Sequence, residues 1–318
     1  MDKIINSRCI CNIGLSWTTK KQIMILPCEH ILHINCHKTN NLCDICNNEI
    51  TKMMTFEEIK SESKKGVIQY QRFIDIYASS NVDHMAKIGN HTPVHVSNII
   101  SFISTLPLLK GYDDCQKACQ EILKLLNTKM IITGSEHINN TRKIYISTHT
   151  TPLDWVIISS IINTSYVASA FIDKSFFGRI VMDVIPLLLI DRNKKGSSTV
   201  EEMIKYIKNN GSLCLFPEGM ITHPDVIQRF RTGAFYTGYP VQPIVIKYDK
   251  LLYDNDIINY IKKLSTAKDL TVYVDILPTE LPPFDDKKIE GIRYKMAKVG
   301  NLAISRVSNR DYIEVEKV

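Results

Sequence analysis

Past residue 128 the chain alternates short apolar runs with longer stretches whose apolar residues recur every three or four positions. The apolar runs Lys143–Ser147, Tyr166–Ala170, Leu187–Ile190, Leu213–Phe216 and Pro243–Tyr248 have strand length and are bounded by polar or turn residues. Between them Leu153–Ile162, Lys174–Asp183 and Ser197–Asn209 carry helical spacing. Ser197 or Ser198 is placed to cap the last of these, acids crowd its first turn and Gly211 ends it. Such alternation predicts an α/β domain, a mixed and largely parallel sheet flanked by helices. Upstream, Cys115, Cys119, Ile122 and Leu126 fall on one face of a helix over 113–126, which makes the two cysteines core residues. Residues 55–84 are charged and weakly helical, a connector. The organisation read from the chain is therefore a small module over 1–52, a helical linker over 53–90 and a large domain over 91–318.

Composition narrows the class. The hydrophobic fraction of 44% and charged fraction of 23% belong to a globular chain. A net charge of +6 suits an anionic partner such as a phospholipid headgroup or membrane surface, and equally a solvated basic face. No apolar run reaches the roughly 18 residues of a spanning helix. Pro107 interrupts Ser97–Leu109, and polar residues dilute Trp155–Ile172, so both read as buried or interfacial segments. The start MDKIINSRCIC is not a signal peptide. An intracellular, reducing compartment follows, with the cysteines as thiols or metal ligands rather than disulfides.

Six of the nine cysteines precede residue 47, interleaved with histidines. The order is Cys9-x-Cys11, Cys28-x-His30-x2-His33-x2-Cys36 and Cys43-x2-Cys46, eight ligands and enough for two tetrahedral Zn2+ ions. So short a segment buries too little apolar surface to fold unaided, and metal would supply most of its stability. The stretch LPCEHILHINC resembles the centre of a RING finger. That resemblance implies alternating ligand pairs: Cys9, Cys11, His33 and Cys36 for one ion, and Cys28, His30, Cys43 and Cys46 for the other. The first pair is one residue shorter than the usual Cys-x2-Cys, and Asp44-Ile45 fills the last gap. The resemblance further implies a ubiquitin-conjugating enzyme as a candidate partner, with Ile10 and Pro27 on the contact surface. A structural or dimerising module is the other reading.

The polar residues of STHTTPLDW pose the chemical question. His149 and Asp154 follow the strand over 143–147, where the loops of α/β folds receive ligands. A carboxylate there can accept the imidazole Nδ1–H, fix the tautomer and leave Nε2 as a general base. The chain supplies no nucleophile of its own to this pair, so the nucleophile would be a substrate hydroxyl. By itself a His-x4-Asp spacing is usually solvated loop.

Downstream, LCLFPEGMITHPDVIQRFRTGAFYTGYPVQPIVIKY gives the pair its context. With His-x4-Asp, Asp191-Arg192, Phe216-Pro217-Glu218-Gly219 and Pro240-Val241-Gln242-Pro243 in order, residues from about 129 to 304 resemble the glycerolipid acyltransferase family, closest to its lysophosphatidylcholine acyltransferase branch. The resemblance implies acyl-CoA as co-substrate and a lysophospholipid, of the lysophosphatidate or lysophosphatidylcholine class, as acceptor. It makes His149 the base and Asp154 its partner. Asp191 and Arg192 align with the block that holds the acceptor phosphate, Glu218 and Gly219 with the block that shapes the acceptor site, and Pro243 with the acyl-donor block. Met220 and Ile221 stand where small and basic residues are common, Pro186 where a glycine opens the second block, and Thr148 where asparagine often precedes the histidine. Arg229 and Arg231 are candidates for the missing positive charge. His223 is expected to be exposed, and Cys214 to pack in a buried strand. Lipid substrates imply association with a membrane surface, on the cytosolic face, with Ser97–Leu109 as anchor. The alternative reading is a RING-type ubiquitin ligase whose large domain only binds lipid or membrane.

Overall fold

The computed structural model describes residues 9–11, 22–38, 40–64, 70–79, 112–170, 185–190, 197–249 and 269–311. The expected helix over 174–183, the Ser97–Leu109 stretch and the Asp191-Arg192 pair lie outside them.

The amino-terminal part is a three-stranded antiparallel sheet, β1 (Gln22–Leu26), β2 (His30–His33) and β3 (Lys52–Thr55), with β1 in the centre. Two helices follow, α1 (Phe56–Lys64) and α2 (Gln71–Ser79). At the start of α1 a reciprocal cap forms. Glu58 accepts from the Thr55 amide at 2.7 Å, and Thr55 Oγ1 accepts from the Glu58 amide at 3.4 Å.

The large domain begins with α3 (Tyr112–Leu125), β4 (Lys129–Thr133), β5 (Ile144–Ser147), α4 (Asp154–Ile161), β6 (Ser165–Ser169) and β7 (Leu187–Ile190). It continues with α5 (Ser197–Asn210), β8 (Leu213–Leu215), β9 (Val226–Ile227), β10 (Val241–Tyr248), β11 (Thr271–Ile276), α6 (Asp286–Gly300) and β12 (Ala303–Ile304). Seven strands form one sheet in the order β4-β11-β10-β5-β8-β6-β7. β10 and β11 run antiparallel and every other pair is parallel, the mixed, largely parallel sheet expected. β5 lies at the centre and is buried along its whole length, as a strand covered on both faces must be. Alternation divides its side chains between two cores. Tyr145 packs with Cys115, Cys119, Val156, Ile157 and Cys214, whereas Ile144 and Ile146 pack with Met203, Ile207, Ile292 and Met296. Helices α3 and α4 thus cover one face, and α5 and α6 the other.

One local expectation fails. Helix α5 begins at Ser197 itself, and its first turn holds no acid, because Glu201 and Glu202 stand in the second turn. The two serines are helical residues rather than caps.

Helices α1 and α2 are not a free spacer. Phe56, Ile59, Phe73, Ile74 and Ala78 share one core with Cys9, Cys43 and the strands β1 and β2 on one side, and with Val226 and Ala303 on the other. Buried Asp75 fixes α2 to the carboxy-terminal segment. It accepts from Ser305 Oγ (2.8 Å), the Arg306 amide (2.9 Å), Arg306 Nε (3.0 Å) and Gln71 Nε2 (2.9 Å). Removing this acceptor leaves buried Ser305 Oγ unpaired and releases the partly buried Gln71 and the Arg306 ion pair, so Asp75→Ala is expected to lower stability by about 1–3 kcal/mol. Urea denaturation of the two proteins measures the difference.

Candidate active site

The loop after β5 is tied down before it reaches His149. Thr148 Oγ1 accepts from the Ile246 amide at 2.9 Å and donates to the Ile246 carbonyl at 3.3 Å, which staples the loop to β10. Asp154 opens α4 and is 0% exposed. Its Oδ2 accepts from the amides of Thr150 (2.7 Å) and Thr151 (3.0 Å) and lies 2.8 Å from His149 Nδ1; its Oδ1 accepts from the Tyr248 hydroxyl at 2.6 Å. Four donors therefore compensate one buried carboxylate, helped by the helix amino terminus. Donation from Nδ1–H fixes the tautomer and leaves Nε2 as the basic nitrogen. Phe216 stacks on the imidazole, with centroids 3.9 Å apart and planes 14° from parallel. The ring is thus held at one edge and on one face.

His149 stands on the wall of a cavity of about 470 Å³, within the usual range for a small-molecule site. The walls are mainly apolar, from Trp155, Ile185, Leu187, Met203, Leu215 and Met220. The charged or titratable side chains of nitrogen bases on that wall, among the described residues, are His149 and Arg231.

The other expected site residues divide. Gly219 and Arg231 line the cavity with His149. Gly219 has φ +77°, and a Cβ there would lie 2.8 Å from both Arg231 Nε and Asn309 Nδ2, so only glycine fits without a shift. Arg231 Nε donates to Asn309 Oδ1 at 2.8 Å, and Asn309 Nδ2 donates to the Gly219 carbonyl at 3.3 Å. Glu218 is 1% exposed, away from the cavity wall, and its Oε2 accepts from the Gln228 amide at 2.8 Å. Burial pushes its carboxyl up to about 7, only partly offset by that amide. Pro243 is buried inside β10 and Arg229 is exposed; neither is on the wall. His223, expected at the surface, is 1% exposed, and burial pushes its imidazole down to about 3. Its Nδ1 accepts from the Asp225 amide at 3.0 Å, a local turn that the sequence did not reveal. Cys214 is fully buried in β8, as expected of a packing residue.

The amino-terminal ligands gather into two groups, Cys9, Cys11, His33 and Cys36, and Cys28, His30, Cys43 and Cys46. Within each, the candidate ligand atoms all lie within 4.8 Å of one another. Tetrahedral bonds of zinc length separate neighbouring ligand atoms by roughly 3.5 Å. Cys11 Sγ lies 3.4 Å from His33 Nδ1, and Cys43 Sγ lies 3.6 Å from His30 Nδ1, so each group fits a metal ion.

Fold and site together define an α/β domain that presents an oriented imidazole beside an apolar cleft. Residues 129–247 match the family model described as Acyltransferase. Lysophospholipid acyltransferase LPEAT1 of Arabidopsis thaliana is 31% identical over 112 residues, 32% of this chain and 28% of that protein. Lysophosphatidylcholine acyltransferase 1 of Danio rerio is 29% identical over 159 residues, 44% and 30%. The matched stretch thus spans less than a third of either relative. A crystal structure of PlsC, the 1-acyl-sn-glycerophosphate acyltransferase of Thermotoga maritima, shares the fold, with a TM-score of 0.50 at 17% identity over 65% of this chain and 93% of that one. Among the described residues no helix is long and apolar enough to cross a membrane.

Glu218 and His223 set opposite pH dependences. Glu218 holds its proton more tightly when folded, so its favourable contribution is full below its ordinary value of 4.5 and is lost as pH rises through about 7. His223 binds protons better unfolded, so stability is lost as pH falls from 6.5 toward about 3. Between these limits the two slopes oppose each other, each at most about 1.4 kcal/mol per pH unit. Glu218→Gln is expected to make stability rise with pH between 4.5 and 6.5, and His223→Phe to make it fall. Denaturation midpoints followed across that range test both signs.

Proposed function

We propose that the protein transfers a fatty acyl group from acyl-CoA to the free hydroxyl of a lysophospholipid at a membrane surface. The observation that carries this reading is the His149–Asp154 pair, 2.8 Å apart, on the wall of an apolar cavity of about 470 Å³. An acyl chain needs such walls, and a hydroxyl needs a base beside them. His149 Nε2 takes the acceptor's hydroxyl proton as the oxygen attacks the thioester carbonyl. The carbon–sulfur bond breaks, the imidazolium returns the proton to the departing sulfur, and coenzyme A leaves as the thiol. Asp154 stabilises the imidazolium during transfer, and its own hydrogen bonds let it keep its charge while buried.

Recognition of the acceptor phosphate is assigned to Arg192, in the block it shares with Asp191, with Arg231 as a cation on the cavity wall. Glu218 supports the site from behind through the Gln228 amide rather than by touching substrate. The relatives named above as lysophospholipid and lysophosphatidylcholine acyltransferases support the acceptor class. Work on such lipids implies residence at a cytosolic membrane face.

His149→Ala is expected to reduce acyl transfer at least about a hundredfold, the usual contribution of a positioned general base. A panel of lysophospholipids with acyl-CoA, read by mass spectrometry, checks this; a variant with near-native turnover would remove His149 from the role of base.

The RING-like module is assigned two Zn2+ ions, held by Cys9, Cys11, His33 and Cys36 and by Cys28, His30, Cys43 and Cys46. Elemental analysis of the purified chain is expected to give two zinc per protein, and Cys43→Ser to give one or none. Full zinc retention in that variant would remove Cys43 from the ligand set.

A further inference from the structure

The loop between Glu218 and Gln228 touches both the base and the metal module. At one end, Thr222 donates its amide (2.7 Å) and its hydroxyl (3.2 Å) to the same acceptor, the backbone carbonyl of His149. At the other, Val226 belongs to the core built by Cys9, Cys43, Phe56, Phe73 and Ala78. Between these ends the links are specific. The His223 ring lies 6.1 Å from that of Phe56 in α1. Asp225 pairs with buried Lys60 of the same helix at 3.3 Å. Gln228 Nε2 donates to the Ala78 carbonyl in α2 at 3.4 Å, while its amide holds Glu218.

From these contacts we infer that Thr222 is a positioning residue for His149, and that the loop carrying it is held in place by the metal-loaded amino-terminal module through α1 and α2. Thr222 does not line the cavity, so its effect on transfer passes through what it holds, the His149 backbone and the Glu218 carboxylate beside it. The module is too small to keep its own core without metal. Emptying it would loosen the surface against which residues 222–228 pack, and the His149 carbonyl would lose a fixed pair of donors. Metal occupancy at the amino terminus would then be felt at the base. The catalytic part of this inference rests on the reading of His149 given above; the mechanical part does not.

Hydrogen exchange read by mass spectrometry on the full chain, as purified and after a high-affinity zinc chelator, tests the mechanical part. On metal removal the amides of 222–228 are expected to exchange about tenfold faster or more, while those of 241–246 and 271–276 keep their protection. Unchanged exchange at 222–228, or loss of protection throughout the chain, would each overturn the inference. A Lys60→Met variant that keeps its zinc is expected to show faster exchange at 222–228 without any chelator, and native exchange there would argue against the link. For the catalytic part, Thr222→Val is expected to lower kcat severalfold with little change in KM, and Thr222→Ser to restore it. If neither exchange arm fails but no variant transfers acyl groups, the assigned activity falls and the mechanical link stands. Equal kcat in Thr222→Val and the native protein would remove Thr222 from the positioning role.

Discussion

The arrangement around His149 rests on one buried carboxylate. Asp154 is shut off from solvent, and an unpaired charge there would cost several kcal/mol. The cost is offset only because two loop amides, a tyrosine hydroxyl and the imidazole converge on it. Each donor comes from a different local constraint. The amides of Thr150 and Thr151 aim inward because the chain turns tightly into α4, and the hydroxyl arrives because β10 runs parallel beside β5 and ends at Tyr248. Withdrawing any one of these would leave the others holding an under-compensated charge. The geometry of loop, strand and helix is therefore one cooperative unit.

Much of this was readable from residues alone. Strands 144–147 and 213–215 and the helices α3, α4 and α5 stand where apolar periodicity put them, because such segments are buried on a predictable face; 187–190 is a strand as its apolar run implies, but it lies at the sheet edge with only Ile190 buried. The His-x4-Asp spacing suggested the pair, and the structure brings the two side chains to hydrogen-bond distance. What could not be read is what depends on register across the sheet. Tyr248 meets Asp154 only because Ile244 pairs with Ser147, and nothing in the local sequence encodes that alignment. His223 looked exposed because it sits among Thr, Pro and Asp, whereas packing of α1 against the loop buries it. β11, absent from the predicted strands, still carries a legible signal: Thr271–Ile276 alternates polar and apolar residues, and Val272, Val274 and Ile276 are buried.

The two parts of the chain share more than a tether. A module this small would normally end its hydrophobic surface at its own boundary. Here Val226 and Ala303 complete that surface, and the ionic contact of Lys60 with Asp225 and the hydrogen bonds of Asp75 seal its edge. Neither part can be drawn as a closed shape without the other. This explains why the loop after Glu218, which in isolation would be a surface turn, is rich in buried polar groups such as Thr222, His223 and Gln228.

The stacking of Phe216 on His149 has an electronic side as well as a steric one. The face of a benzene ring carries partial negative charge, and a cation held against it gains about 0.5–2 kcal/mol depending on how dry the site is. At 3.9 Å, the Phe216 ring is a neutral imidazole's neighbour by dispersion and an imidazolium's neighbour by electrostatics. An aliphatic residue of similar bulk could keep the ring upright, but it would be indifferent to whether that ring carried a proton. The phenylalanine thus does more than hold the imidazole upright: its face meets the positive charge that the proposed proton transfer would place on that ring.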